Sequence, residues 1–369
     1  MKKQLLTSTA LVAAGLLAFG GTAIAKPKLS VGGYSAAIFG VGENTDAFDA
    51  ATNEKIGWDV QSDGEIHFNG SAKLDNGIKI RTRVELEANQ DNDQIDEHWM
   101  RVSGSFGEIR FGSMDDAART MTIAATASFA TGVGLSLQFD TGRFLTNPGT
   151  VGTSTVALVT LSNDAEQIAY YTPRMSGFQL GASYIPHNSQ DSNGARENVT
   201  TQDTDLFAVG ANYVSKMGGA SVRVAAGYVT GQESNTNRDD PEEYGIGASI
   251  GMDGMRFALS YVDQGSQDTP AGVTVTNGQE TFEAGVSYGF GPNAISFVYQ
   301  DAEADASVGN AANGDKHTVA QIAYRRILGP GVDFSVTATS ADFDDGLAAA
   351  ATGNSNDGES VAGRLRVRF

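Results

Sequence analysis

The stretch VAGRLRVRF, residues 361–369, ends the chain and alternates in character from one residue to the next. Leu365 and Val367 fall on the same parity as the terminal Phe369, while Arg364 and Arg366 fall on the other parity. Successive side chains of a β-strand point to opposite faces. The pattern therefore predicts a final strand with one apolar face and one basic face.

Earlier stretches repeat this alternation, with apolar residues on one parity and small or polar residues on the other. The clearest are GFQLGASYIP (177–186), SVRVAAGYV (221–229), MRFALSYV (255–262) and TFEAGVSYGF (281–290). Such runs match the roughly 9 to 11 residues that a tilted strand needs to cross a membrane, and exceed the about 5 to 6 of a typical globular strand. The sequence thus predicts strands that face hydrocarbon on one side and water on the other.

The connections between these runs alternate in length. Short turns are predicted at residues 74–77, 105–108, 173–177, 215–219, 251–254, 289–293 and 328–331. Long polar connections are predicted at residues 40–62, 90–94, 115–164, 187–203, 231–241, 265–278, 302–316 and 344–357. Together they join 16 strands, which predicts an all-β, transmembrane, antiparallel β-barrel with its turns at one end and its loops at the other.

Aromatic residues support this topology because they recur near predicted strand ends. One predicted end carries Tyr184, Tyr228, Tyr244, Tyr261 and Tyr299, and the other carries Tyr213, Tyr288, Phe290, Tyr324 and Phe369. Amphipathic rings prefer the two interfaces of a membrane. The third connection leaves one alternative open, because GLSLQFD (134–140) and TSTVALVTL (153–161) also alternate and would raise the count to 18 strands.

The N-terminus has the features of a secretory signal peptide. Lys2 and Lys3 precede an apolar run from Leu11 to Phe19, and Ala23-Ile24-Ala25 forms a small-residue cleavage signal. We therefore expect residues 1–25 to be a signal peptide and residues 26–369 to form a single barrel domain.

Composition narrows the functions open to the exported chain. It contains no cysteine, which excludes disulfides, thiol nucleophiles and thiolate metal ligands. The formal net charge of the full sequence, −19, disfavours binding to nucleic acid. No serine and acid partners accompany the histidines at predicted strand ends, so we predict no enzyme, no cofactor and no metal site. The histidines are interpreted as solvated residues of the rim or lumen; they are His67, His98, His187 and His317.

Charged residues on the predicted lumen face are the candidate functional residues. In KIRTRVELE (79–87), Arg81 and Arg83 share the parity opposite the apolar residues, and Arg101 lies within the next strand. Closure of the barrel would bring Arg364 round to the first strands. We expect these arginines to form a basic arc, because a charged wall is one way in which a pore selects ions.

Several segments resemble the general diffusion porins of Gram-negative outer membranes. They are the signal peptide, IDEHWMRVSGSFGEIRFGSMDDAART (95–120) with the long connection that follows it, YYTPRMSGFQLGASYIP (170–186), and the terminal Phe369. The resemblance implies a homotrimer of 16-stranded barrels in outer-membrane lipid and lipopolysaccharide. It also implies that the third loop folds into each lumen and narrows the pore, and that Phe369 is a signal for the outer-membrane assembly machinery.

An inward third loop would bring acidic residues to the narrowest part of the pore. Asp115 and Asp116 begin this loop and Asp140 lies within it, so we predict that they face the arginines and create a transverse field. The expected function is passive diffusion of small hydrophilic solutes and ions, with a preference for cations. Two alternatives stay open: an 18-stranded barrel similar to sugar-selective porins, and a secreted all-β adhesin or lectin.

Overall fold

The computed structural model describes residues 26–45, 58–88, 94–124, 142–148, 151, 153, 158–162, 164–188, 203–233, 240–265, 278–304, 314–346 and 354–369. Its strands form one closed antiparallel barrel in which each strand pairs with its neighbours in sequence. The first half comprises β1 (Lys28–Asn44), β2 (Trp58–Lys73), β3 (Lys79–Glu87), β4 (Ile95–Gly104), β5 (Gly107–Ser113), β6 (Glu166–Tyr171), β7 (Phe178–His187) and β8 (Asp203–Met217). The second half comprises β9 (Ala220–Glu233), β10 (Glu242–Met252), β11 (Met255–Gln264), β12 (Gln279–Phe290), β13 (Asn293–Ala304), β14 (Lys316–Gly329), β15 (Val332–Asp344) and β16 (Asn356–Arg368). A short helix, α1 (Ala117–Met121), follows β5.

Closure of the barrel depends on the terminal strand. β16 pairs with β1 from Tyr34 opposite Arg368 to Asn44 opposite Gly358. The Phe369 backbone N–H donates to the Gly33 carbonyl at 3.1 Å, so this ladder continues to the last residue. Because every strand then has a partner on both sides, the barrel has no free edge.

The strand count agrees with the prediction of 16. β5 pairs directly with β6, from Glu108 opposite Tyr171 to Ser113 opposite Glu166, so no hairpin is inserted between them in the barrel wall. The 18-stranded alternative is therefore wrong. Most of the two stretches that suggested it, residues 134–140 and 154–157, lie outside the described residues.

All seven predicted short turns occur at one end of the barrel, which we call the turn end; the opposite end is the loop end. Asp253 and Gly254 illustrate why these turns are tight, since their φ angles are 52° and 82°. Positive φ at both central residues is typical of the two-residue turn whose twist matches that of the flanking strands.

The two faces of the wall have the predicted characters. Leu259 is 55% exposed on the outer face, whereas the adjacent Ser260 is 5% exposed and points inward. Aromatic pairs lie near both ends of the outer face, as in Tyr244–Tyr261, with ring centroids 6.1 Å apart, and Phe178–Tyr213, with centroids 4.6 Å apart. This outer face suits a bilayer with two interfaces.

Apolar residues are buried inside the barrel where the third loop contacts the wall. Leu145 and Val151 of that loop cluster with inward-facing residues that include Ala258, Val298 and Val319. The third loop is therefore folded into the lumen, as expected. No helix in the described part of the chain is both long and apolar enough to cross a bilayer.

Candidate channel lining

A row of arginines crosses three neighbouring strands on the lumen face. Arg81 of β3 lies opposite Arg101 of β4, which in turn lies opposite Arg110 of β5. Glu108 contacts two of them, with Oε2 3.1 Å from Arg101 Nη1 and Oε1 2.6 Å from Arg110 Nε. The structure thus brings two predicted residues, Arg81 and Arg101, into one row and adds an acidic partner that offsets part of its charge.

Arg83 and Trp99 lie next to this row toward the loop end. Arg83 and Arg101 place their guanidinium carbons 5.6 and 5.1 Å from the Trp99 ring centroid. Arg83 also donates to Asn69 Oδ1 at 3.0 Å and to Glu85 Oε1 at 2.7 Å. Stacking on Trp99 and hydrogen bonds to two separate acceptors restrain this side chain along the wall.

The arginines of the closing strand have a different environment. Arg364 lies opposite Ile38 and Ser335 on the lumen face, but it is only 6% exposed and is therefore covered. Arg366 contacts Asp333 at 3.4 Å, and Arg368 pairs with the same carboxylate. The members of the predicted basic arc in β16 are therefore either buried or paired with a carboxylate.

The two aspartates that begin the third loop have structural partners. Asp116 is fully buried, caps α1 by accepting from the Arg119 backbone N–H at 3.0 Å, and accepts from the Ser162 hydroxyl. Asp115 forms an ion pair with Arg119. Asp116 thus cannot face the water-filled lumen directly, because its carboxylate is enclosed by the loop. Asp140 lies outside the described residues.

Four glycines explain how the loop packs so closely on the wall. Gly181, Gly210, Gly227 and Gly245 lie opposite one another on successive strands from β7 to β10. They form a flat strip on the lumen face against which α1 packs. A Cβ atom on Gly210 would lie 2.4 Å from the Ala117 carbonyl oxygen, which is far inside contact distance.

A second contact attaches the loop to the far side of the barrel. Arg143 Nη2 lies 3.3 Å from Asp63 Oδ2 on β2. Phe144 packs over Gly42, where a Cβ would lie 1.8 Å from the Phe144 carbonyl oxygen. The loop therefore contacts β7–β10 with its first part and β1–β2 with a later part.

A buried carboxylate holds the returning part of the loop. Glu243 Oε2 accepts from the backbone N–H groups of Thr160 and Leu161 at 2.6 and 2.9 Å. The amino-acid sequence alone does not mark Glu243 as a functional residue. Glu243 is adjacent to the outward-facing Tyr244, so alternation places its side chain on the lumen face. Its hydrogen-bond donors, however, come from the loop and are brought to it only by folding.

Acidic groups surround the point where the loop leaves the wall. One carboxylate oxygen from each of Glu97, Asp115 and Asp164 lies within 4.8 Å of the other two. Burial, followed by the nearby Asp115 and other carboxylates, raises the pKa of Asp164 to about 8. Burial and Glu97 likewise raise the pKa of Asp115 to about 6, although Arg119 opposes this shift. The charge at the loop base therefore depends on pH near neutrality.

One prediction about the histidines is wrong. His317 is 1% exposed and packs against Phe343, with ring centroids 5.8 Å apart, so it is a buried residue. His67, in contrast, faces the lumen beside Glu65 and Glu85. The register of the β2–β3 hairpin sets His67 opposite Glu85. A turn closed between Leu74 and Gly77 would set His67 opposite Val84. The observed turn contains one more residue, since Lys73 pairs with Lys79, and this shift brings His67 opposite Glu85.

Comparisons with known proteins agree with this architecture. The Gram-negative porin family profile matches residues 7–346. No curated protein sequence matches significantly. Among solved structures, an anion-selective porin from Comamonas acidovorans has a TM-score of 0.62 and 17% identity over 93% of this chain and 100% of that chain. A mutant of the Rh. blastica porin has a TM-score of 0.57 and 16% identity over the same shares.

A third solved structure, a loop-deletion mutant of OmpT, an outer-membrane protein of Vibrio cholerae, has a TM-score of 0.54 and 12% identity over 92% of this chain and 99% of that chain. These structural likenesses agree in fold. The family match covers most of the chain and agrees with the closed barrel, the apolar outer face and the inward third loop. The chain belongs to the Gram-negative porins, which are channel-forming β-barrels of the outer membrane.

Proposed function

We propose that the protein is a general diffusion porin that lets small hydrophilic solutes and ions cross the outer membrane passively. The observation that carries this proposal is that the described parts of the third loop contact β7–β10 on one side of the lumen and β1–β2 on the other, and so narrow it. Arg81 is exposed on the lumen wall. A narrowed, charged lumen favours hydrated polar solutes over apolar ones.

We further propose a preference for cations, because most of the identified wall arginines have carboxylate partners. The pairs are Arg83 with Glu85, Arg101 and Arg110 with Glu108, and Arg366 and Arg368 with Asp333. Additional acids, including Glu65 and Glu87, lie opposite each other nearer the loop end. With the arginines offset, this acidic region would attract cations.

The Arg81–Arg101–Arg110 row favours a second candidate, a preference for anions. One protein with this fold, the Comamonas acidovorans porin, is anion-selective. Cation preference and anion preference give reversal potentials of opposite sign in a salt gradient. Planar bilayers containing the purified protein should give a reversal potential in a KCl gradient that corresponds to cation preference. The opposite sign would favour the anion candidate, and a lack of conductance would contradict the porin function itself.

We also propose the remaining features that the family resemblance implies. Residues 1–25 would be removed as a signal peptide, and residues 26–369 would form one barrel that assembles as a homotrimer in lipid and lipopolysaccharide. Phe369 is 62% exposed at the turn end, which leaves its ring accessible to the assembly machinery. Mass measurement of the native complex, combined with N-terminal sequencing of the mature protein, tests the trimer and the cleavage site separately. This channel function requires no catalytic step.

A further inference from the structure

We propose that Glu65, His67 and Glu85 form a binding site for a divalent transition-metal ion on the lumen wall. Glu65 and His67 are two residues apart on β2, so their side chains project from the same face. Glu85 lies directly opposite His67 on β3. Two strands therefore bring three potential ligands together without help from any loop.

The donor atoms converge closely enough for one ion. One ligand atom from each of the three residues lies within 4.8 Å of the other two. His67 Nε2 is shielded from solvent and lies 3.1 Å from Glu65 Oε2 and 3.8 Å from Glu85 Oε2. A metal ion among these atoms would need only small side-chain movements to reach ligand distances of about 2.0 to 2.2 Å.

Charge around the cluster favours a dication. Glu65 lies opposite Glu87 on the neighbouring strand, and Glu85 lies on the same face. Like charges directly opposite each other in a sheet are destabilising, so a bound cation would relieve repulsion. Arg83 offsets part of this charge, but it contacts Glu85 through Oε1 and leaves Oε2 on the side of His67.

Arg83 also gives the site an outer contact that orients a ligand. Its Nη1 lies 2.7 Å from Glu85 Oε1, while its Nε donates to Asn69 Oδ1 at 3.0 Å. Outer hydrogen bonds of this kind fix the orientation of a ligating carboxylate and strengthen metal binding. The site is thus held by the rigid hairpin and by a restrained arginine.

The ligand set indicates the class of metal. One imidazole nitrogen and two carboxylates suit Zn²⁺ and related first-row ions, whereas Mg²⁺ and Ca²⁺ prefer oxygen ligands alone. The His67 side chain is 21% exposed and that of Glu85 is 10% exposed, so an ion could enter from the lumen. Bound there, it would add positive charge to the wall and weaken cation preference; this consequence rests on the proposed channel function, whereas metal binding does not.

Binding is tested with Co²⁺ added to the purified full-length barrel in detergent, with its visible absorption as the signal and Zn²⁺ as the competitor. Loss of an outer hydrogen-bond partner alone costs about 10- to 100-fold in metal affinity, so His67→Gln should weaken binding by about 100-fold or more. His98→Gln is the matched control. His98 is exposed on β4, where it lies opposite Val84 on the outer face of the barrel, away from the proposed site.

The proposal is supported if Zn²⁺ displaces Co²⁺ from the wild type and from His98→Gln, while a large excess of Mg²⁺ does not. Equal Co²⁺ affinity in His67→Gln and the wild type would overturn it, as would displacement by Mg²⁺ as effective as that by Zn²⁺. A heat-modifiability gel checks that each variant is folded. If Co²⁺ binds but Zn²⁺ does not change the reversal potential, the metal site is supported. That result would instead contradict the proposal that ions pass this part of the lumen wall.

Discussion

Gly210 on the lumen face of β8 lies directly beneath Ala117 in the first turn of α1, so closely that a Cβ at Gly210 would lie 2.4 Å from the Ala117 carbonyl oxygen. This contact couples the barrel wall to the loop that narrows the lumen. The other glycines in the same row, Gly181, Gly227 and Gly245, extend the flat strip across four strands. The absence of side chains on the wall therefore determines where the loop lies.

Gly210→Ala should displace the third loop while leaving the barrel assembled. Overpacking of this kind costs about 1–3 kcal/mol, which the loop can relieve by moving away from the wall, whereas the strand ladders need not change. We expect altered single-channel conductance with more current fluctuations, and normal heat-modifiability. The control is Gly329→Ala, because a Cβ there would meet no atom within 4 Å. Identical traces for Gly210→Ala and the wild type would contradict this role of the contact.

Leu259→Asp should reduce the yield of folded barrel. Leu259 is 55% exposed on the outer face near the middle of β11, where a charge faces hydrocarbon. Aspartate there costs less than the roughly 2–4 kcal/mol of Arg or Lys, but enough to impair assembly. Ser287→Asp is the control, because Ser287 is on the lumen face opposite Arg256. Folded yield is measured by heat-modifiability, and equal yields for both variants would refute the assignment of faces.

Cation preference should increase as the pH rises from about 5 to 9. The pKa of Asp115 is about 6 and that of Asp164 is about 8, so both carboxyls are neutral at the lower limit and charged at the upper limit. The added negative charge at the loop base should shift the reversal potential toward cations. Asp164→Asn should remove the part of this shift that occurs near pH 8, whereas Asp253→Asn in a distant turn should not. A flat pH profile in the wild type would contradict the assignment.

Arg81→Ser should make the channel more cation-preferring, with equal or higher conductance. The change removes a positive charge from the exposed wall, and one charge acting on an ion 4 Å away in water-like surroundings is worth about 1 kcal/mol. Lys316→Ser removes the same charge from the loop end, where Lys316 is 56% exposed and pairs with Glu303 at 3.0 Å. If Lys316→Ser shifted the reversal potential as far as Arg81→Ser, selectivity would be set at the pore mouth.

Phe369→Ala should lower the amount of folded protein in the outer membrane without changing the conductance of inserted channels. Phe369 is 62% exposed. Its backbone N–H and carbonyl form hydrogen bonds with Gly33, and because these do not involve the ring, the variant retains the pairing of β16 with β1. Abundance is measured by quantitative fractionation and conductance by single-channel recording. A changed conductance at normal abundance would show that the ring affects the pore directly.

The sequence by itself determined the barrel wall. Alternation around Leu259 and Ser260 predicts which side chain faces out, and turn residues such as Asp253 and Gly254 mark where each strand ends. These signals are local, because the period of two and the φ angles of a tight turn depend on neighbouring residues. The strand count follows from the same local rules.

Only the tertiary structure decided the lining of the lumen. Asp116, predicted to face the pore, is enclosed instead by Ser162 and α1, and Arg364 is buried. The third loop takes its position from residues far away in sequence, since the Ala117 backbone N–H donates to the Ser183 hydroxyl and Arg143 contacts Asp63. The alternation within residues 134–140 and 153–161 of this loop does not encode such contacts. Its path is fixed by the shape and charge of a wall that exists only once the barrel has closed.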